Sequence, residues 1–126
     1  MDGKKTILVV DDEDIVRKLA AAFLKSAGYK VDLAASAEEA LDQFGSSERP
    51  PCYDLVLSDV QMPGMNGVQL VEAIHRIRPD QRVILMSGRS AAALTDLGIV
   101  MSENVPLIVK PFHINELLEP INEMLA

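Results

Sequence analysis

Acidic side chains crowd two places in this chain where no neighbour in sequence balances them. Asp11, Asp12, Glu13 and Asp14 directly follow the apolar run Thr6–Val10, and Asp59 closes the run Leu55–Leu57 with only Ser58 between. Two carboxylates about 4 Å apart repel by roughly 4 kcal/mol at an effective dielectric near 20, and three such pairs by on the order of 12 kcal/mol as an upper figure. Such a group either keeps one acid protonated or takes up a divalent cation. An oxygen-only donor set, with no Cys or His beside it, selects Mg²⁺, which keeps several waters and takes one or two carboxylates. Ser87 and Lys110, each closing a further apolar run, add a hydroxyl and an ammonium. One Lys cannot neutralise three acids, so an incoming phosphoryl group needs metal and Lys110 together. Glu13 and Asp14 have a simpler use at the N-terminus of the next helix, where negative charge is favourable. Asp59 alone would be an ordinary turn former. The joint pattern is what carries the chemistry.

The elements that must position these groups alternate. Thr6–Val10, Leu55–Asp59, Arg82–Met86 and Leu107–Val109 are apolar or β-branched runs of buried strands, and Lys30–Ala34 alternates like a half-buried strand nearer a sheet edge. Between them, helical spacing predicts a helix over Glu13–Ala27 burying Val16, Leu19, Ala20, Phe23, Leu24 and Ala27, with Arg17, Lys18 and Lys25 away from that stripe and Gly28 as a left-handed C-cap. Ser36 with Glu39 opens a helix through Phe44, and Asn66 with Gln69 caps one over Val68–Ile77 whose inward side is Leu70, Val71, Ile74 and Ile77. Ser90 caps a short helix over Ala91–Leu97, and Gly98–Asn104 reads as loop. The last helix, from Ile114, buries Ile114, Leu117, Leu118, Ile121 and Leu125, and Pro120 inside it should kink or interrupt it. Strand and helix alternating five times predict an α/β fold: a five-stranded parallel sheet with right-handed crossovers, flanked by helices on both faces. The polar strand ends then meet at one carboxyl edge, beside the crevice where strand order reverses.

Composition narrows the setting. A chain of 126 residues suits one domain with a real core. A net charge of −7 argues against direct nucleic-acid binding and fits a cation binder. Cys52 is the single cysteine, so no internal disulfide forms; it is read as an inert thiol, and a reducing, cytoplasmic setting follows. No apolar run approaches a membrane span, and the polar Met1–Lys5 carries no signal-peptide pattern. His75 is placed on a solvated flank and His113 at a helix cap for which it is poorly suited. Neither is read as a ligand.

Across nearly its whole length the chain resembles the response-regulator receiver domain. The matching marks are Asp11-Asp12 after the first strand, Asp59 followed by Met62-Pro63-Gly64 and Gly67, Ser87-Gly88, and Lys110-Pro111-Phe112. The resemblance implies a flavodoxin-like arrangement, residues 1–126 being one receiver domain, either free-standing or excised from a larger protein. It implies that Asp59 accepts a phosphoryl group from a sensor histidine kinase or phosphotransfer protein. It further implies that Asp12 and Asp59 ligate Mg²⁺ directly, with the main-chain carbonyl of Gln61 as a third ligand and Asp11 acting through water. Ser87 would hydrogen-bond one phosphoryl oxygen and Lys110 pair with another, the Lys110–Pro111 bond often being cis in such domains. Such a domain catalyses only its own phosphorylation and dephosphorylation, acts on an output protein or domain, and leaves room for a homodimer.

Four positions depart from the pattern. Leu107 stands where many members carry an aromatic switch residue, which shifts the expected signalling onto the backbone around Ser87–Ser90. Pro120 calls the last helix into question, and with it a common dimer face. Gln61 and Arg89 put long polar side chains at the rim of the pocket. The rivals are an Asp-nucleophile phosphatase, which wants an acid where Gln61 stands, and a flavin or nucleotide binder, which wants a glycine-rich loop where Asp11–Asp14 stand. A third is a receiver-like interaction module that is never phosphorylated.

Overall fold

The apolar runs become strands close to where they were expected, joined by helices: β1 (Thr6–Val10), α1 (Asp14–Ser26), β2 (Lys30–Ala34), α2 (Ala37–Gly45), β3 (Leu55–Asp59), α3 (Gly67–Ile77), β4 (Val83–Ser87), α4 (Ala91–Asp96), β5 (Leu107–Val109) and α5 (Ile114–Leu125). The structure, a computed structural model, describes residues 4–45, 53–102 and 104–126. Cys52 lies outside the described residues, and α2, expected to run through Phe44, ends one residue later at Gly45. β4 runs one residue later than its composition suggests, which takes Ser87 into the strand.

The five strands form one sheet in the order β2-β1-β3-β4-β5, every pair parallel. This is the flavodoxin-like arrangement. The chain leaves β1 for β2 on one side and returns to β3 on the other, so strand order reverses at β1 and β3 and a crevice opens at their carboxyl ends. Register places Val10 opposite Ser58, Asp59 opposite Met86 and Ser87 opposite Val109. Asp11, Asp59, Ser87 and Lys110 therefore stand along one edge.

Period-two alternation divides the strands between two cores. Ile7, Val9, Leu55, Leu57, Ile84 and Met86 face α1 and α5. Leu8, Val10, Val56 and Leu85 face α2, α3 and Leu94 of α4. β3 and β4 are buried along their whole length, which is why their sequences run apolar without alternating. Edge strand β2 buries fully only Ala34, so its expected alternation is weak. Gly28 (φ 93°) ends α1 with the Tyr29 and Gly28 amides donating to Leu24 and Lys25 carbonyls at 3.2 and 3.0 Å, the left-handed cap expected of it.

Several inward assignments were too broad. Leu19 (44% exposed), Ile77 (58%), Ile114 (38%) and Ala27 lie outside the core, because each stands where its helix has turned past the sheet or run beyond it. Pro120 does not interrupt α5. It lacks one N–H, but Leu117 and Ile121 on either side are fully buried and hold both halves of the helix on the sheet.

Candidate functional site

β3 delivers Asp59 to the carboxyl edge, where it is 5% exposed. Lys110, just beyond β5, reaches back so that Nζ lies 3.2 Å from Asp59 Oδ1, 3.2 Å from Asp11 Oδ2 and 4.0 Å from Glu13 Oε1. Its amide donates to the Ser87 carbonyl at 2.7 Å, and the Lys110–Pro111 peptide is cis. One carboxylate oxygen each from Asp11, Asp12 and Asp59 lies within 4.8 Å of the others. Asp11 is fully buried, and its Oδ1 accepts the Glu13 amide at 2.8 Å. Asp12 is exposed. Ser87 is buried, its Oγ accepting the Arg89 amide at 3.0 Å.

A cleft of about 640 Å³ opens over Asp59, with Ser87, Lys110, Gln61 and Arg89 on its polar side and Val16, Leu19 and Phe112 on its apolar side. Arg89 Nε donates to Gln61 Oε1 at 3.2 Å, so two exposed side chains from different connections meet at its rim.

The connection after β3 folds back hard onto the strand end. The Gly67 amide donates to the Val60 carbonyl at 2.7 Å, and a Cβ on Gly67 would lie 2.2 Å from the Asp59 carbonyl oxygen. Only glycine permits that approach. Asn66 then caps α3 by accepting the Gln69 amide at 2.9 Å while Gln69 accepts the Asn66 amide at 2.9 Å, the reciprocal pair its spacing predicted. Ser36 accepts the Glu39 amide at 3.0 Å, but Glu39 reaches the Ala35 amide, so that capping box is only half formed.

Burial, then the neighbouring Asp11 charge, push the Asp59 carboxyl from its ordinary 3.8 up to about 6, with Lys110 opposing and Asp12 adding to the rise. For Lys110, burial acts to lower the pKa, yet Asp59 and Asp11 together outweigh it and hold the ammonium above the ordinary lysine value. Among the described residues Lys110 is the cation that pairs with Asp11 and Asp59, while Glu13 at 4.0 Å and Asp12 add further carboxyls beside it. That deficit of positive charge, met by oxygen donors alone, suits a hard divalent cation.

Asp11, Asp12, Asp59, Ser87 and Lys110 converge as their strand-end positions required, and Gln61 lines the same cleft. His75 is set apart; its Nε2 lies 3.0 Å from the Gln81 carbonyl. His113 makes no side-chain cap, and Glu116 accepts its amide at 2.8 Å instead. Two features escaped the sequence: the Arg89–Gln61 bond, and Arg17, whose guanidinium turns inward to the Asp11 carbonyl at 2.8 Å.

A family model described as response regulator receiver domain matches residues 7–122. The chain belongs to this family. Relatives of this receiver domain include the response regulator receiver protein CpdR of Brucella abortus, 33% identical over 124 residues that cover 96% of this chain and 97% of that protein. Chemotaxis protein CheY of Thermotoga maritima is 30% identical over 121 residues, 95% of this chain and 97% of that protein. Sensor kinase CckA of Brucella abortus is 35% identical over 125 residues, 99% of this chain, which spans only 13% of that protein. Among solved structures, the response regulator TrrA of Thermotoga maritima, in complex with Mg²⁺-BeF, superposes with a TM-score of 0.79 at 35% identity, covering 95% of this chain and 98% of that one. The receiver domain is a signalling module of two-component systems, and this one carries an acidic pocket of Asp11, Asp12 and Asp59. Among the described residues no helix is long and apolar enough to cross a membrane.

Proposed function

We propose that Asp59 takes a phosphoryl group from the phosphohistidine of a sensor histidine kinase or phosphotransfer protein, and that the new charge alters binding to an output protein or domain. The carrying observation is Lys110 Nζ held 3.2 Å from both Asp59 and Asp11 within a cluster of carboxylates. An Asp59 oxygen attacks phosphorus in line; the O–P bond forms, the P–N bond breaks, and the imidazole leaves with the electron pair. Lys110 faces one developing phosphoryl charge. Ser87 keeps a hydroxyl proton to donate to another phosphoryl oxygen, because its oxygen is the acceptor for Arg89. The donor set fits Mg²⁺, with Asp12, Asp59 and the Gln61 main-chain carbonyl as direct ligands and Asp11 acting through water. When bound, the ion neutralises charge on the equatorial phosphoryl oxygens.

Phosphorylation adds about −1.5 to −2 of charge beside Ser87. Leu107 is partly buried against the core and has no hydroxyl to exchange partners, so the signal passes through the Ser87–Ser90 backbone. Residues 1–126 act as one cytoplasmic receiver domain that binds neither nucleic acid nor membrane. An unbroken α5 leaves the α4–α5 side regular for a homodimer.

The test is incubation with acetyl phosphate, with and without Mg²⁺, read by intact mass. One phosphate that requires both Mg²⁺ and Asp59, and is absent from Asp59→Asn, supports the proposal. No adduct on wild-type protein overturns it in favour of an unphosphorylated interaction module.

A further inference from the structure

Each polar group of Asp11 has its own partner. Its amide donates to the Ala34 carbonyl of β2 at 3.2 Å, Oδ1 accepts from Glu13 within the β1–α1 connection, and Oδ2 faces Lys110 beyond β5. Its carbonyl accepts from Arg17 Nη1 at 2.8 Å, while Nη2 of the same guanidinium meets Asp14 Oδ1 at 2.5 Å. The Arg17 side chain is 15% exposed, against 71% for Lys18, which also meets Asp14. Arg17 is thus folded onto the connection that carries Asp11 and Asp12. It addresses the Asp11 main chain, so it steadies these acids without occupying the carboxylates that face Asp59.

We propose that Arg17 is a positioning residue that holds the Asp11–Asp12 connection in the geometry a divalent cation needs; this rests on the Mg²⁺ reading above. The planar fork is the operative feature. It spans a main-chain carbonyl and a carboxylate at once, and an ammonium keeps the charge but cannot reproduce the fork. Without it the buried Asp11 carbonyl loses its partner and the connection is free to rotate both acids away from Asp59. Groups that orient metal ligands from behind typically govern affinity by 10- to 100-fold.

The test is Mg²⁺ titration of phosphodonor-free protein, followed by the amide resonances of Glu13 and Asp59, in wild type, Arg17→Lys and Arg17→Gln. Both variants should bind Mg²⁺ on the order of tenfold more weakly, with the Glu13 amide already displaced before metal is added. Arg17→Lys decides the matter if Arg17→Gln fails to fold. Ile74→Val, a buried change on the opposite face of the sheet, controls for general loosening and should keep wild-type affinity. Wild-type affinity in Arg17→Lys, or an equal loss in Ile74→Val, overturns the role of Arg17 while leaving the Mg²⁺ reading intact. A wild type that binds no Mg²⁺ overturns both.

Discussion

Replacing Asp59 by asparagine should make the metal-free protein more stable at neutral pH. Burial and the Asp11 charge raise the Asp59 carboxyl from 3.8 to about 6, even with Lys110 beside it. The sign follows from linkage: a carboxyl whose folded pKa is raised contributes its stability below about pH 4 and loses it as pH rises through 6. A rise of that size corresponds to roughly 3 kcal/mol once the group is ionised. The neutral amide of Asp59→Asn has no charge to strand, and Lys110 keeps Asp11 as a partner. The gain should approach that figure at pH 7.5, about 10 °C in Tm for a domain of this size. It should shrink toward zero at pH 4. Saturating Mg²⁺ should narrow the gap from the other side, since an ion that binds the native acids stabilises wild type by mass action. Urea denaturation of both proteins from pH 4 to 8 in EDTA, repeated in Mg²⁺, measures all three effects. An Asp59→Asn variant no more stable than wild type at pH 7.5, or a gap that ignores pH, would refute the reasoning.

The other expectations address single contacts. Gly67→Ala drives a Cβ to within 2.2 Å of the Asp59 carbonyl oxygen, a backbone atom with nowhere to go, and should cost more than about 3 kcal/mol by chemical denaturation; an unchanged midpoint would contradict the packing described for that turn. The Arg89–Gln61 bond spans the cleft rim, so Arg89→Ala or Gln61→Ala should shorten the acyl-phosphate lifetime. An exposed hydrogen bond nets about 1 kcal/mol, which limits the change to roughly fivefold in a dephosphorylation time course, and a longer lifetime in either variant would count against a covering role. Phosphorylation should draw Ser87 from the Arg89 amide and shift the amide resonances of Ser87 to Ser90 by NMR. Unchanged resonances alongside phosphorylation-dependent partner binding would show that the signal leaves by another route.

Most of the site was legible because strand topology does the assembling. Once Thr6–Val10, Leu55–Asp59, Arg82–Met86 and Leu107–Val109 are read as parallel strands, their ends must share an edge, and Asp11, Asp59, Ser87 and Lys110 follow. Local chemistry was equally readable at Asn66–Gln69 and at Gly28, where capping depends on a few adjacent residues. Contacts set by tertiary geometry were not. Helical periodicity puts Arg17 off the buried stripe, but a long side chain on the first turn can fold back to the strand end, which no periodic pattern encodes. Gln61 and Arg89 are 28 positions apart and meet only because their connections leave neighbouring strands. Periodicity likewise marks a stripe without saying where the sheet beneath it stops, hence Leu19, Ile77 and Ile114. Pro120 shows packing overriding propensity.

The pH titration of the Asp59 side-chain carboxyl, followed by carbon-13 NMR in EDTA and then in saturating Mg²⁺, tests most directly whether these acids and Lys110 form one cation-binding hollow. The arrangement predicts an inflection near pH 6 without metal, driven far lower when Mg²⁺ is present. An inflection in the ordinary aspartate range that Mg²⁺ leaves in place would contradict it.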